Sequence, residues 1–352
     1  MIKYLKVEGL NGNKMSLEFH FNDDLNLFTG LNGCGKTTIL KILWFVNSGH
    51  FVHLVNEIVF QSLTLKTNNY KISITRSEKG AEVLFNTGKG DRKGFIPLSD
   101  GIQRRVSNDV SIDLYEKSDE SVFFPTFRRI EGGFLIENSI YRRTPFPMKN
   151  ALSDLSNELS TSKHKFVSYV STEDITLLVN REYSTVMREI NELQENKFGA
   201  IRERIKDKKG KKSDFILQEI ESDITDVENK SAEKLLPFST LKNLILSIFN
   251  KKGIEMDAIV FGDFENAISS EKLSAGEKQM LSFLCYNTFS KNKIIFIDEP
   301  ELSLHPDWQR LLVPTLLKQG NNNQFFIATH SPFIYTKYAD KEIVLSEDKG
   351  GM

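Results

Sequence analysis

The sequence predicts an α/β fold: a mixed sheet flanked by helices, with an antiparallel lobe and a short helical, coiled-coil-like insertion. Three observations predict it. A strand, a glycine loop and an apolar helix follow one another over residues 25–46. Near the far end two apolar runs, 293–297 and 324–328, each lead into polar or charged residues, as buried parallel strands do. Between these ends, from about residue 150 to 235, the chain turns polar and charged, with apolar residues at helical spacing.

Composition agrees with that outline. At 352 residues the chain is long for one ordinary domain, so two lobes or one domain with an insertion are expected. Hydrophobic residues make up 39% and charged residues 26%, which suits a real core under a solvated surface. A formal net charge of −1 excludes a global pull toward nucleic acid or anionic membrane, leaving only local patches. Cys34 and Cys285 are the only cysteines, which fits a reducing compartment without a disulfide framework. No apolar run approaches the roughly 20 residues that span a bilayer, and MIKYLKVEGL does not read as a signal peptide. The expectation is a cytoplasmic protein with no membrane partner.

In order along the chain, IKYLKVEGL and LNLFTG read as strands, with MSLEFHF between them as a partner. ILKILWFV is too densely apolar for a surface helix and predicts one buried against a sheet. LTLKT, YKISITR and AEVLF supply the antiparallel lobe. From Gly30 to Thr38 the chain reads GLNGCGKTT, which matches G-x-x-x-x-G-K-[ST] in the strand–loop–helix context that pattern needs. Gly30, Gly33 and Gly35 let the backbone wrap phosphate with its N–H groups inward, at the positive end of the following helix. Lys36 would reach the β- and γ-phosphates of a nucleotide and the Thr37 hydroxyl would ligate Mg²⁺, with Asn32, Cys34 and Thr38 completing the nucleotide-contacting set. For Cys34 a redox-sensitive loop is one reading, and a residue that merely fills a permissive position is preferred.

A phosphate loop by itself does not choose among kinases, GTPases, motors and transporters. KIIFIDEPELSLHP narrows the choice, because its apolar strand ends at Asp298, where ligands of open α/β sheets bind and where an acid would hold Mg²⁺. Glu299 follows and can polarise an attacking water, a general-base role typically worth about 10²–10⁴-fold. In QFFIATHSPFI the strand ends at Thr329 and His330, placing His330 at the same edge, where it could sense the γ-phosphate. In KLSAGEKQMLSFL, Ser274 and Gly276 open a helix with Glu277 in its first turn. That is an ordinary cap, yet it is also an anion site, and a second phosphate site suggests two subunits closing on shared nucleotides.

The ordered set GLNGCGKTT, LSAGEKQ, IIFIDEP and ATHS resembles the P-loop head of ABC-type ATPases, in the branch that includes SMC proteins, RecF and the overcoming-lysogenization-defect ATPases. By that resemblance Lys36 and Thr37 match Walker A and Leu273 to Gln279 the signature motif. Asp298 and Glu299 match Walker B with its catalytic acid, and His330 the switch histidine. Such heads dimerise head to tail, each signature motif completing the partner's γ-phosphate site. The resemblance covers about the first 150 residues and the last 115. Two departures refine it: His305 stands where transport ATPases carry an Asp, and FFPTFRRIE lacks the glutamine of related heads, leaving Arg128, Arg129 or Glu131 as substitutes or simply as a surface strand end. DEPELSLHP is similar to the form found in OLD-like and bacterial defence ATPases, and PTFRRIE to a string in ATPases of the Septu, PARIS and retron defence systems.

In the middle, Val179, Tyr183, Val186, Ile190 and Leu193 recur at spacings of four and three, and Ile216, Ile220, Ile224 and Val227 offer a return helix. A hairpin of about 27 residues per arm, roughly 40 Å long, is expected. Its basic turn, with Lys208, Lys209, Lys211 and Lys212 and no interleaved aromatics for base stacking, reads first as a solvated loop; nucleic acid stays open as a partner, and a docking arm for protein is at least as well supported. The domains expected are 1–149 and 236–352 for the head and 150–235 for the hairpin. After His330 only EIVLS reads as a strand, so a nuclease or toxin effector is expected on a separate protein. The expected function is an ATP-hydrolysing switch, a homodimer or higher homo-oligomer, that controls such an effector in antiphage defence. A RecF-like ATPase that clamps DNA is the alternative, and the long insertion disfavours a transporter subunit.

Overall fold

The protein is described by a computed structural model covering residues 1–13, 15–88, 90–97, 108–126, 129–130, 147–206, 213–248 and 273–346. Arg128, Glu131 and the four lysines of the hairpin turn lie outside these residues, as does the side chain of Arg129. The chain divides into two compact units, Met1–Val170 with Ser290–Met352, and Ser171–Phe289. Residues 150–170, expected in the insertion, fall in the first unit, and the described residues 236–248 and 273–289, expected in the head, fall in the second.

The predicted α/β architecture is present in the first unit, with antiparallel and parallel strands sorted into two sheets. The antiparallel sheet is built from β1 (Ile2–Glu8), β2 (Ser16–His20), β4 (Ser62–Thr67), β5 (Lys71–Ser77), β6 (Gly80–Asn86) and β7 (Asp91–Pro97), in the order β2-β1-β4-β5-β6-β7. In β1 the buried residues are Ile2, Leu5 and Val7, because a bulge in the β4 pairing between Ile2 and Tyr4 inserts one residue into the alternation.

The second sheet contains β3 (Leu25–Thr29), β8 (Ser121–Phe124), β10 (His164–Phe166), β12 (Ile294–Asp298), β13 (Gln324–Ala328) and β14 (Glu342–Val344). Its order is β10-β8-β12-β13-β3-β14, and every pair is parallel. All residues of β12 and β13 are buried, as a parallel sheet covered on both faces requires. The helix α1 (Lys36–Ser48) lies against β8, β12 and β13 and buries Ile39, Leu40 and an unbroken run from Ile42 to Asn47, hence its near-continuous apolar sequence. Phe28, Phe326 and Phe296 stack across three strands, with ring centroids 6.3 and 5.3 Å apart. The wholly buried Gln324 ties the sheets together: its amide accepts from the Ile2 N–H at 2.8 Å and donates to the Ile2 carbonyl at 2.7 Å. Helix α4 (Pro147–Leu159) packs on β10 and on the short strand β11 (Tyr169–Val170), which is why the first unit extends past residue 149.

The described elements of the second unit are helices. α5 (Thr172–Lys206) and α6 (Ser213–Ile248) form the hairpin, and α7 (Ala275–Thr288) packs on both. The arms have 35 and 36 residues, so each is about 53 Å long at 1.5 Å per residue. Both exceed the expected length, α6 because it continues through Pro237 and buries Phe238, Leu241 and Ile245 within the same unit. Val179, Ile190 and Val227 are buried on the seam as expected, whereas Ile224 is 40% exposed. Lys197 joins Asp223 at 3.0 Å and Lys234 joins Glu189 at 2.5 Å across the arms. No helix among the described residues is long and apolar enough to cross a membrane.

Candidate functional site

Parallel register decides which loops meet. Asp298 and Phe28 both pair with Ala328, and Phe124 pairs with Ile297, so the segments leaving β3, β8, β12 and β13 emerge at one edge of the sheet. That edge is the carboxyl edge, where open α/β sheets bind ligands.

The phosphate loop leaves β3. Gly35 sits in the left-handed region at φ 98° as the N-cap of α1, a conformation that side chains resist, and the first-turn amides of that helix have no intrahelical acceptor. A methyl group on Gly30 would meet the Ser346 hydroxyl at 2.7 Å and the Cys34 sulfur at 3.0 Å, so the loop closes only around glycine there. Lys36 is 5% exposed and its ammonium donates to the carbonyls of Gly30 and Leu31, both at 3.1 Å. It stands 3.4 Å from His330 Nδ1 and 3.9 Å from the Cys34 sulfur. Asn32 and Gly33 are exposed, and Cys34, Thr37 and Thr38 are half-buried.

Asp298 ends β12 and is buried. Its Oδ1 accepts from the Thr37 hydroxyl at 3.1 Å, and its Oδ2 accepts from the Thr126 hydroxyl just beyond β8. A hydroxyl and a carboxylate side by side are the hard oxygen donors Mg²⁺ prefers, with phosphate oxygens and water supplying the rest. Among the described residues no group of three or more His, Cys, Asp or Glu offers a site made of protein ligands alone. Thr37 and Asp298 therefore fit a metal that arrives with a phosphate chain.

Glu299 follows in the left-handed region at φ 48°, its N–H donating to the Ala328 carbonyl at 2.8 Å. A non-glycine residue at such φ is strained by about 1–3 kcal/mol, and residues of this kind cluster at functional sites. The Glu299 carboxylate lies 3.7 Å from His330 Nε2. Burial, then the charges of Asp298 and Glu301, push its pKa above the ordinary glutamate value. The His330 ring thus spans from Lys36 to Glu299. An ammonium can only donate, so a hydrogen bond from Lys36 to Nδ1 selects the tautomer with its proton on Nε2, facing the carboxylate.

Two contributors were not assigned from sequence. Thr126 lies within FFPTFRRIE, whose arginines and Glu131 are the more conspicuous candidates by charge. Glu301 lies within DEPE, and its carboxylate accepts from the Thr329 hydroxyl at 2.8 Å and from the His330 N–H at 2.6 Å. His305 is an exposed N-cap of α8 (Pro306–Lys318), its Nδ1 accepting from the Asp307 N–H at 3.4 Å. Ser274 and Glu277 form a full capping box at α7: the Ser274 hydroxyl accepts from the Glu277 N–H at 3.3 Å, and the Glu277 carboxylate accepts from the Ser274 N–H at 2.6 Å. Gly276 is in the first turn of the same helix, in the second unit. The structure thus gathers Lys36, Thr37, Asp298, Glu299 and His330 into one constellation and places the signature residues in the other unit.

Residues 1–335 match the family described as AAA ATPase domain. The chain belongs to that family. This ATPase, which hydrolyses ATP, is similar to "Endonuclease GajA" of Bacillus cereus (strain VD045), with 25% identity over 88% of this chain and 52% of GajA. It is also similar to "Septu protein PtuA" of Bacillus thuringiensis, with 23% identity over 98% of this chain and 75% of PtuA. A shorter match, 35% identical over 19% of this chain and 15% of the relative, is to "Retron Ec83 probable ATPase" of Escherichia coli. The chain spans about half the length of GajA and far less of the retron ATPase.

Proposed function

We propose that this ATPase is a nucleotide-driven switch, acting in the cytoplasm in antiphage defence. Two heads close head to tail around ATP, and hydrolysis reopens them. The closed and open states determine whether a separate effector protein, a nuclease or toxin, is held or active. The observation that carries the catalytic part is the contact chain Lys36–His330–Glu299 beside Thr37–Asp298, all at one sheet edge. Relatives carrying the names of the Septu and retron systems support the defence role, and the helix opened by Ser274, Gly276 and Glu277 is the element that a partner head would present, its capping box opening to free N–H groups for phosphate.

Within a head, Lys36 exchanges its loop carbonyls for the β- and γ-phosphate oxygens, drawing the loop amides around them. Mg²⁺, held through Thr37 and Asp298, would neutralise phosphate charge as the reaction proceeds. Glu299 accepts a proton from water as the water oxygen bonds to the γ-phosphorus and the bond to the β–γ bridging oxygen breaks, yielding ADP and phosphate. His330 keeps its Nε2–H toward the site of charge transfer. The mass in solution of wild type and Glu299→Gln, with and without MgATP, tests the switch. Locking of the variant into a dimer or larger assembly, with hydrolysis arrested, is expected. One unchanging mass for both proteins in every nucleotide state would refute ATP-driven assembly.

A further inference from the structure

At the ends of β12 and β13 the paired register closes with Asp298 opposite Ala328 and the Glu299 N–H donating to the Ala328 carbonyl at 2.8 Å. The two chains then diverge into separate loops, one carrying Glu299 and the other His330. On the β3 side the Thr329 N–H donates to the Phe28 carbonyl at 3.0 Å, one residue short of His330, and catalysis is sensitive to misplacement of about 1 Å. The carboxylate of Glu301 reaches across this gap. One oxygen takes the His330 N–H at 2.6 Å and the other the Thr329 hydroxyl at 2.8 Å, a two-point hold on the backbone that carries the ring. The base of the clamp is itself braced. Gln309 of α8 donates to the Leu304 carbonyl at 2.8 Å and accepts from the Ser331 hydroxyl at 2.5 Å, tying the same two loops together one step further out. Charged acceptors make the stronger kind of hydrogen bond, so Glu301 is the dominant tie.

We propose that Glu301 is a positioning residue for hydrolysis, acting through His330 by clamping the Thr329–His330 backbone so that the ring spans Lys36 and Glu299. This rests on His330 taking part in hydrolysis. Glu301 itself touches neither Lys36 nor the Thr37–Asp298 pair.

The test uses the full chain, with Glu301→Ala, His330→Ala and the double variant assayed for steady-state ATP hydrolysis. In parallel, the His330 ring nitrogens of wild type and Glu301→Ala are observed by ¹⁵N NMR. Glu301→Ala should lower kcat roughly 10²-fold while KM for ATP stays within about twofold. Added to His330→Ala it should cost no more than about a further twofold, the non-additivity of residues acting as one unit. The ring signal should move from a single Nε2–H tautomer toward an average of the two. Thr329→Val, which removes one arm of the clamp at nearly constant volume, carries the same measurements with a smaller loss if Glu301→Ala does not fold. A His330→Ala protein as active as wild type would refute the role of His330. A histidine-dependent rate with an unmoved His330 signal, or a Glu301→Ala loss undiminished in the His330→Ala background, would refute the role of Glu301.

Discussion

Replacing Glu299 with Gln keeps the shape of the side chain and removes the base, and the structure predicts effects of opposite sign on rate and stability. The carboxylate stands 3.7 Å from His330 Nε2, and burial, then Asp298 and Glu301, raise its pKa. Loss of a general base costs about 10²–10⁴-fold in kcat, which is roughly 3–5 kcal/mol of barrier. For folding, a carboxyl with a raised folded-state pKa contributes most below its unfolded value of about 4.3. That contribution is lost as pH rises through the folded-state value. Near neutral pH the charged Glu299 therefore weakens the fold, and Gln removes that effect. The gain is small, because the side chain is only half-buried and water screens it. The assay is kcat and kcat/KM from about pH 5 to pH 9, with thermal melting of both nucleotide-free proteins from about pH 4 to pH 8. Wild type should show an acid limb in kcat/KM, which reports the free enzyme, lying above the ordinary glutamate range, and the variant a flat profile with kcat at least about 10²-fold lower. The variant should melt slightly higher at pH 8, the gap closing toward pH 4. A variant that retains more than about a tenth of wild-type kcat, or that melts lower at pH 8, would refute Glu299 as the base in a repulsive carboxylate cluster.

Thr126→Val removes one of the two hydroxyls on Asp298 and should weaken the Mg²⁺ requirement's half-saturation by about 10–100-fold, as loss of a group that orients a metal ligand does; Mg²⁺ titration of hydrolysis reads this. Gly80→Ala would place a methyl 2.0 Å from the Ile96 carbonyl oxygen in the β6–β7 pair. It should destabilise the protein by about 2–3 kcal/mol in denaturant melts. Phe326→Ala opens the stacked phenylalanine layer at its fully buried centre and should cost about 3–5 kcal/mol in the same assay.

Local order determined much that the sequence shows by itself. GLNGCGKTT declares a phosphate loop because each glycine, the lysine and the threonine act within one turn of chain. IIFID and QFFIA declare buried strands because continuous apolar runs have no other use at that length, and both are buried throughout. The helical hairpin was legible from its seam, but its arms were read short, since periodicity fades where α6 passes Pro237 and begins to bury Phe238 and Leu241 in its own unit.

What only the tertiary structure decided are the side-chain pairs across long stretches of chain. Thr126 meets Asp298 across 172 positions, and Lys36 meets His330 across 294. No spacing rule links such residues, because their meeting depends on parallel register, not on local geometry. Glu301 and His330 are only 29 positions apart, yet their contact exists only because Asp298 lies opposite Ala328 and two different loops leave the sheet together. Chemistry with a short reach along the chain can be read from sequence. Orientation, which needs several distant segments in one place, belongs to the fold.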